Sequence, residues 1–355
     1  MSTILPMGHQ LIDDTARETR SILLARVERR IHEFLTEERR EWAALNTDST
    51  ELIDCVARMV GSGGKRLRPA FCIAGYLAGG GDPNAEVIVD VAAALELLHT
   101  FALLHDDVMD DSGLRRNEPT AHKLHSALHQ ERDWRGESRR YGESVAILAG
   151  DLALVYAERI LADCPPQARR IWGGLCTELM IGQFLDVRAA ARFVPDTELS
   201  SWIALFKSGR YTVYRPLAMG AELAGAGHLL GAFEEYGLAV GEAFQLRDDL
   251  LDAFGSPEVT GKPAQLDFKQ HKMTLLMSFA LRHEPDVREL VGDDLAGTDP
   301  DRLHEALVRT GVRDRVERVI AERIDTAAAA AAAALNSKWS AELHSMARKA
   351  AYRDR

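Results

Sequence analysis

The stretch NAEVIVDVAAALELLHTFALLHDDVMDD, residues 84–111, is an apolar run that closes on four aspartates within six residues. Ala and Leu dominate and the β-branched runs are short, so it reads as one long helix beginning near Asn84. The end of that helix is the problem. Two carboxylates about 4 Å apart cost roughly 1 kcal/mol in water and about 4 kcal/mol at an effective dielectric near 20. Something has to offset the repulsion among Asp106, Asp107, Asp110 and Asp111, and a fold for this chain must supply it.

The rest of the chain is built of similar material. Strand signals are poor throughout 355 residues that are 46% hydrophobic and 27% charged, enough to bury a large core. No linker divides them, so the expectation is a single all-α domain over residues 1–355, with 1–15 flexible and an Ala-rich helical region at 300–355. Helices are expected over 16–45, 167–192 and 196–225, with GSGGKRLRPA (61–70) as a Gly-rich break before another. Residues 112–143 read as a charged connection and 256–272 as a loop. The net charge of −11 gives no electrostatic case for nucleic acid. The apolar runs read as shorter than the ~18 residues of a membrane span, and the N-terminal segment lacks a basic start and an apolar signal core. Cys55, Cys72, Cys164 and Cys176 have no metal spacing; reduced thiols in a cytoplasmic protein are expected.

A second apolar run, GAFEEYGLAVGEAFQLRDDLLDAFG (231–255), ends like the first. Residues four apart share one face of a helix, so Asp106 aligns with Asp110 and Asp248 with Asp252. The residues between them are apolar (Val108 and Met109; Leu250 and Leu251), whereas a solvated acidic face would interleave Lys or Ser. Two such pairs could face each other across a cavity. Hard oxygen ligands of this kind suit Mg²⁺, which keeps waters and shares its coordination sphere with substrate phosphates, and no His/Cys set competes for zinc.

Basic residues accompany both acidic ends. Lys65, Arg66 and Arg68 follow a Gly-Gly break; Arg115 and Arg116 follow the first cluster; Lys207 precedes a Ser-Gly; Lys262 and Lys272 follow the second cluster. Glycines before a helix let backbone N–H groups approach phosphate, and Lys and Arg complete such a site. Carboxylates and cations together point to a substrate with several phosphate oxygens, held partly through metal and partly directly.

The segments GGKRLRP (63–69), LLHTFALLHDDVMDDSGLRRNEPTAH (97–122), AGDLAL (149–154), GQFLDV (182–187), KSGRYT (207–212), FQLRDDLLDAFG (244–255) and GKPAQLDFKQHKMTLL (261–276) resemble those of the trans-isoprenyl diphosphate synthases, or polyprenyl synthetases. The resemblance implies an all-α fold around a deep central cavity, usually a homodimer, joining an allylic diphosphate head to tail to isopentenyl diphosphate. It implies three Mg²⁺ ions, two held by Asp106 and Asp110 with Asp107 nearby, and a third by Asp248 supported by Asp249 and Asp252. By the same resemblance Arg115, Lys207, Lys262 and Lys272 contact the allylic diphosphate, and Ser208 and Gln245 flank the reacting carbon. Lys65, Arg68, His99 and Arg116 bind isopentenyl diphosphate. His99 also lies on the helical stripe 99, 102, 103, 106 and 110, on the side of the aspartates. Three positions depart from the family pattern: Ser208 where Thr is usual, Asn117 where Gly is common, and His271 where Gly is common.

Product length in such enzymes follows side chains about one turn before the first aspartate. Here they are Phe101 and Ala102, and the motif has no insertion. An aromatic followed by a small residue resembles geranylgeranyl (C20) producers, with farnesyl (C15) synthesis second. A class I terpene cyclase would mix Asn, Ser and Glu into its second metal motif and would need no second diphosphate site. A non-catalytic partner subunit of a heteromer would be expected to lose aspartates or basic residues, and all are present.

Overall fold

The computed structural model describes residues 7–192, 196–255, 274–292 and 298–352, with side chains from residue 15 onward except at 197 and 300. Lys262, His271 and Lys272 lie outside the described residues. Nearly everything described is helical, as the composition demands. Among the described residues the β-structure is one hairpin, β1 Leu114–Arg115 paired with β2 Glu118–Pro119.

Packing divides the chain into two compact units, one of Thr19–Ile73 and Asp82–Arg169, the other of Met1–Glu18, Ala74–Gly81 and Arg170–Arg355. Neither is contiguous in sequence, so no linker marks them.

In the first of these units the central element is α4, Glu86–Met109, which follows α1 (Met7–Leu45), α2 (Thr50–Gly61) and α3 (Leu67–Ala78) in the chain. α1 starts earlier than residue 16. α4 is buried along almost its whole length, from Ile88 and Val89 to Leu104. By length and composition it is apolar enough to cross a membrane, which corrects the expectation that no run reaches that length; 72% of its most apolar window is buried inside the protein, as in a core helix. Each fully buried Leu, Ile or Val contributes about 1.5–3 kcal/mol. α4 packs against α6, Ser138–Ile160. α6 buries Ala146, Ala149, Ala153 and Ala157, small side chains at helical spacing that allow close approach.

Between them lies α5, Ala121–Glu131, inside the stretch expected to be a charged connection. Its buried face is His122, His125 and His129, so it is amphipathic without being aliphatic.

The second unit is built on α10, Leu230–Phe254, which follows α7 (Pro166–Arg192), α8 (Thr197–Ala204) and α9 (Arg215–Leu223). Phe233, Tyr236, Val240, Ala243, Leu246 and Leu250 form its buried face. After α11 (Leu275–His283), α12 (Pro285–Val291) and α13 (Pro300–Thr310) come the Ala-rich α14 (Val312–Ala334) and α15 (Ser337–Ala351). α14 lies against α10 with Val316, Ile320, Ile324 and Ala327 inward. Tyr236 donates to the Leu343 carbonyl at 2.7 Å, and Arg247 forks onto Glu317 at 2.8 and 2.6 Å.

Candidate active site

In the first unit the repulsion among the four aspartates is relieved by two cations, Arg115 and Lys123. One residue along a helix is a 100° turn, so Asp107 faces inward while Asp106 and Asp110 remain partly exposed. Arg115 meets it: Nε donates to both Asp107 oxygens at 2.8 and 2.9 Å, and Nη2 lies 2.7 Å from Oδ1. Burial pushes the Asp107 carboxyl up, against the opposing pull of the Arg115 guanidinium. Asp111 pairs with Lys123 at 2.7 Å, which holds its carboxyl below the ordinary range. Asp106 lies 3.7 Å from Arg115 Nη2. The α4 ladder ends with the Asp110 amide donating to the Asp106 carbonyl at 2.9 Å, which keeps those two residues one turn apart.

The hairpin that carries Arg115 turns at Arg116 and Asn117, both with positive φ (55° and 65°). A two-residue hairpin of this hand requires that, and Asn tolerates it well, so the departure from Gly at 117 leaves the turn intact. Arg116 is held in the strained position by the Ser62 hydroxyl at 2.8 Å and by the Gly63 carbonyl. Gly63 and Gly64 both have positive φ (89° and 146°), which glycine adopts without strain, and a Cβ on Gly64 would stand 2.9 Å from Arg116 Nη2. Arg66 spends its guanidinium on Glu96, on Glu28 and on the Val60 carbonyl at 2.8 Å.

His99 sits in the field of these cations. Burial, then Arg68, Arg115, Arg116 and Arg66, hold its imidazole well below the ordinary histidine range. Of these cations Arg115 is paired with Asp107, and Arg66 with Glu96 and Glu28. Lys65 immediately precedes Arg66 in the GGKRLRP segment. Phe101, 5% exposed, packs on His105 with ring centroids 4.6 Å apart; Ala102 is partly exposed.

The second unit repeats the pattern. Asp248 and Asp252 are partly exposed, and Asp249, one residue on, is 2% exposed. Lys207 and Ser208 lie in a π-helical segment, Leu205–Tyr214, between α8 and α9; such widened turns recur at functional sites. This segment presses on α10 through glycines. A Cβ on Gly241 would meet Gly209 Cα at 2.0 Å, and one on Gly237 would meet Tyr214 Cα at 2.7 Å. The close approach brings the Ser208 hydroxyl to donate to Gln245 Oε1 at 2.6 Å. Gln245 Nε2 in turn donates to Asp249 Oδ1 at 2.8 Å. Because a carboxylate only accepts, Asp249 dictates which way the Gln245 amide points. Lys207 Nζ donates to Asp186 Oδ2 at 2.5 Å. Asp186 belongs to the GQFLDV segment, and nothing in the local sequence marks it as the partner of Lys207.

Among the described residues no three His, Cys, Asp or Glu side chains converge as a ready-made metal cage. Mg²⁺ is bound through one or two carboxylates plus substrate phosphates and water rather than by an all-protein shell. Asp106 with Asp110, and Asp248 with Asp252, are donor sets of that type. All four cysteines are free thiols, and burial pushes the Cys55 thiol up to about 11.

Residues 49–308 match the polyprenyl synthetase family. The chain belongs to that family. It is therefore a trans-prenyltransferase with the all-α isoprenoid synthase fold. It is 32% identical to the short chain isoprenyl diphosphate synthase of Methanothermobacter thermautotrophicus over 283 residues, 78% of this chain and 80% of that one. Among solved structures it resembles the geranylgeranyl pyrophosphate synthase of Corynebacterium glutamicum complexed with isoprenyl diphosphate and magnesium, at 33% identity and a TM-score of 0.84, over 95% of this chain and 99% of that one. The polyprenyl synthase of Caulobacter crescentus, complexed with calcium and isoprenyl diphosphate, superposes with a TM-score of 0.76 at 26% identity, over 95% and 98% of the two chains. Relatives at 30–34% identity carry names from farnesyl through geranylgeranyl and geranylfarnesyl to nonaprenyl diphosphate synthase, so similarity leaves the chain length of the product open.

Proposed function

We propose that the enzyme condenses isopentenyl diphosphate head to tail with an allylic diphosphate in the presence of Mg²⁺, and that its main product is geranylgeranyl diphosphate. The observation that carries the reaction is that α4 holds both an acid pair open to solvent, Asp106 and Asp110, and, two turns earlier, a neutral His99 in the field of four arginines. One helix thus presents a metal-binding end and an anion-binding segment, as a reaction between two diphosphates needs.

In this reading Asp106, Asp110 and Asp248 hold the metal ions, three in all. The chemistry that Mg²⁺ supplies when bound is neutralisation of the charge that builds on the departing diphosphate. Arg115 and Lys207 take up anionic oxygens of the allylic substrate directly, with Lys262 and Lys272 assigned the same task. Lys65, Arg68, His99 and Arg116 hold isopentenyl diphosphate. The allylic C1–O bond breaks, its electron pair leaving with diphosphate. The isopentenyl double bond then attacks C1, and a proton is lost to the released diphosphate. Preorganised cations aimed at the leaving oxygens lower the barrier because they need no rearrangement as charge develops. By the same reading the Ser208 hydroxyl and the Gln245 amide flank the reacting carbon.

The C20 assignment rests on Phe101 as the floor of the chain-growth path and Ala102 as the opening beside it; farnesyl diphosphate is the second reading. A homodimer is the proposed assembly: Ile147, Leu148 and Val155 form an exposed apolar stripe on α6, at 43, 53 and 51%, and α7 exposes Met180, Ile181, Phe184 and Val187. Four cysteines outside any disulfide fit a reducing, cytoplasmic setting. The test is to assay the purified chain alone with labelled isopentenyl diphosphate and each of the C5, C10 and C15 allylic starters, with and without Mg²⁺. Mg²⁺-dependent C20 product supports the reading; no chain extension by the isolated protein with any starter would overturn it.

A further inference from the structure

The two acidic motifs divide their carboxylates in the same way. The outer ones are partly exposed and the second is buried: Asp107 at 0% and Asp249 at 2%. A carboxylate taken out of water has to be paired or hydrogen-bonded, and both are, by unrelated partners. Asp107 accepts the Arg115 guanidinium on both oxygens. Asp249 accepts Gln245 Nε2 on Oδ1 and, on Oδ2, the backbone N–H of Leu276 at 2.9 Å. Leu276 lies in the first turn of α11, where backbone N–H groups have no helical partner. Thr274 caps the same turn through the Met277 amide at 3.2 Å. Asp249 thus places an acceptor and a negative charge at a helix N-terminus, which favours both.

We propose that the second aspartate of each motif is a positioning residue: Asp107 aims the Arg115 guanidinium, and Asp249 aims the Gln245 amide and anchors the first turn of α11. The motif needs adjacent aspartates because consecutive positions 100° apart on a helix can serve two surroundings, solvent and core. An inward-facing second carboxylate ties the motif to the neighbouring segment that acts with it. The Ser208–Gln245–Asp249–Leu276 series is directional: the backbone donor and the amide donor both end on the one group that can only accept. The Gln245 oxygen is thereby fixed toward Ser208. This inference deepens the reading under the proposed function and rests on it for the role of the outer aspartates.

The experiment uses isosteric variants, which keep volume and spare the fold: Asp107→Asn and Asp249→Asn, beside Asp106→Asn and Asp248→Asn. Three readouts are taken, the last being steady-state turnover. The first is Mn²⁺ binding in the presence of inorganic pyrophosphate, followed by titration calorimetry. The second is amide hydrogen exchange at Leu276 and Met277 in the metal-free protein. Mn²⁺ affinity should stay within about twofold in Asp107→Asn and Asp249→Asn and fall at least tenfold in the outer variants. Exchange at Leu276 should accelerate about tenfold in Asp249→Asn, the loss of one charge-assisted hydrogen bond, and stay unchanged in Asp248→Asn. In turnover, Asp107→Asn should raise KM for the allylic diphosphate while the Mg²⁺ concentration for half-maximal rate is unmoved. A tenfold loss of Mn²⁺ affinity in either inner variant, or unaltered exchange in Asp249→Asn, overturns the proposal. Outer variants that bind Mn²⁺ normally would instead sink the reading of the site; accelerated exchange in Asp249→Asn would then still support the anchoring of α11.

Discussion

Replacing Phe101 with alanine tests the product-length reading through a quantity the structure lets one work out. The ring is 5% exposed and stacks against His105, whose Nε2 lies 3.0 Å from the Ile147 carbonyl and 3.5 Å from Asp151. A Cβ on Gly150 would stand 2.2 Å from His105 Cδ2, so the imidazole already occupies the gap the glycine leaves. Phe101 is therefore backed by a wall that cannot recede. Phe101→Ala costs about 3–5 kcal/mol if the void stays empty. A five-carbon isoprene unit that fills it recovers about 4 kcal/mol, at about 0.8 kcal/mol per buried methylene. At 1.4 kcal/mol per factor of ten, that biases a further condensation over release by roughly 10³. The assay is chromatography of dephosphorylated products from labelled isopentenyl diphosphate, with the melting temperature recorded alongside. The main product should lengthen by at least one isoprene unit, and Tm should drop by about 1–2 °C per kcal/mol lost. A folded variant with an unchanged product profile refutes the reasoning, because the space opened would then lie off the growth path.

The other predictions are more direct. Asp106→Ala and Asp248→Ala should each cut turnover by roughly 10²–10³ or more with circular dichroism unchanged, since both side chains are partly exposed; near-normal turnover would count against their roles. His99 is held well below 6.5 by burial first and by the surrounding arginines second. As pH falls below about 6.5 the unfolded chain takes up a proton that the folded chain refuses, so stability present above that pH drains away, at about 1.4 kcal/mol per unit, until the folded group titrates. Urea midpoints from pH 7 to 5 should fall more steeply in the parent protein than in His99→Gln; parallel curves would contradict it. Gly241→Ala places a Cβ 2.0 Å from Gly209 Cα, and should destabilise by about 1–3 kcal/mol and lower kcat by parting Ser208 from Gln245. A variant as stable and active as its parent would show that the crossing has slack.

The positions that the sequence reading missed have identifiable causes. α5 was hidden because its inward face is His122, His125 and His129, which do not register as a hydrophobic period. The π-helical segment was hidden because one extra residue per turn leaves no compositional trace, and Gly209, Gly237 and Gly241 acquire meaning only where two backbones cross. Asp186 escaped because its partner, Lys207, lies on another element. The hairpin at Arg116 and Asn117 was inside a stretch dense in charge, where nothing but a tolerated positive φ at Asn117 hinted at a turn.

From the sequence alone, helical class, the apolar ends of α4 and α10, and the alignment of Asp106 with Asp110 and of Asp248 with Asp252 were already determined, because each depends on spacing within one helix of 3.6 residues per turn. The choice between the two faces of each motif was not. Asp107 and Asp249 are neighbours of the outer aspartates in the chain and chemically identical to them, and only the burial of one helical face against Arg115 in one unit, and against Gln245 and the start of α11 in the other, separates a carboxylate open to solvent from one enclosed in protein. Periodicity is a local property of the chain, whereas desolvation is a property of whatever packs against it.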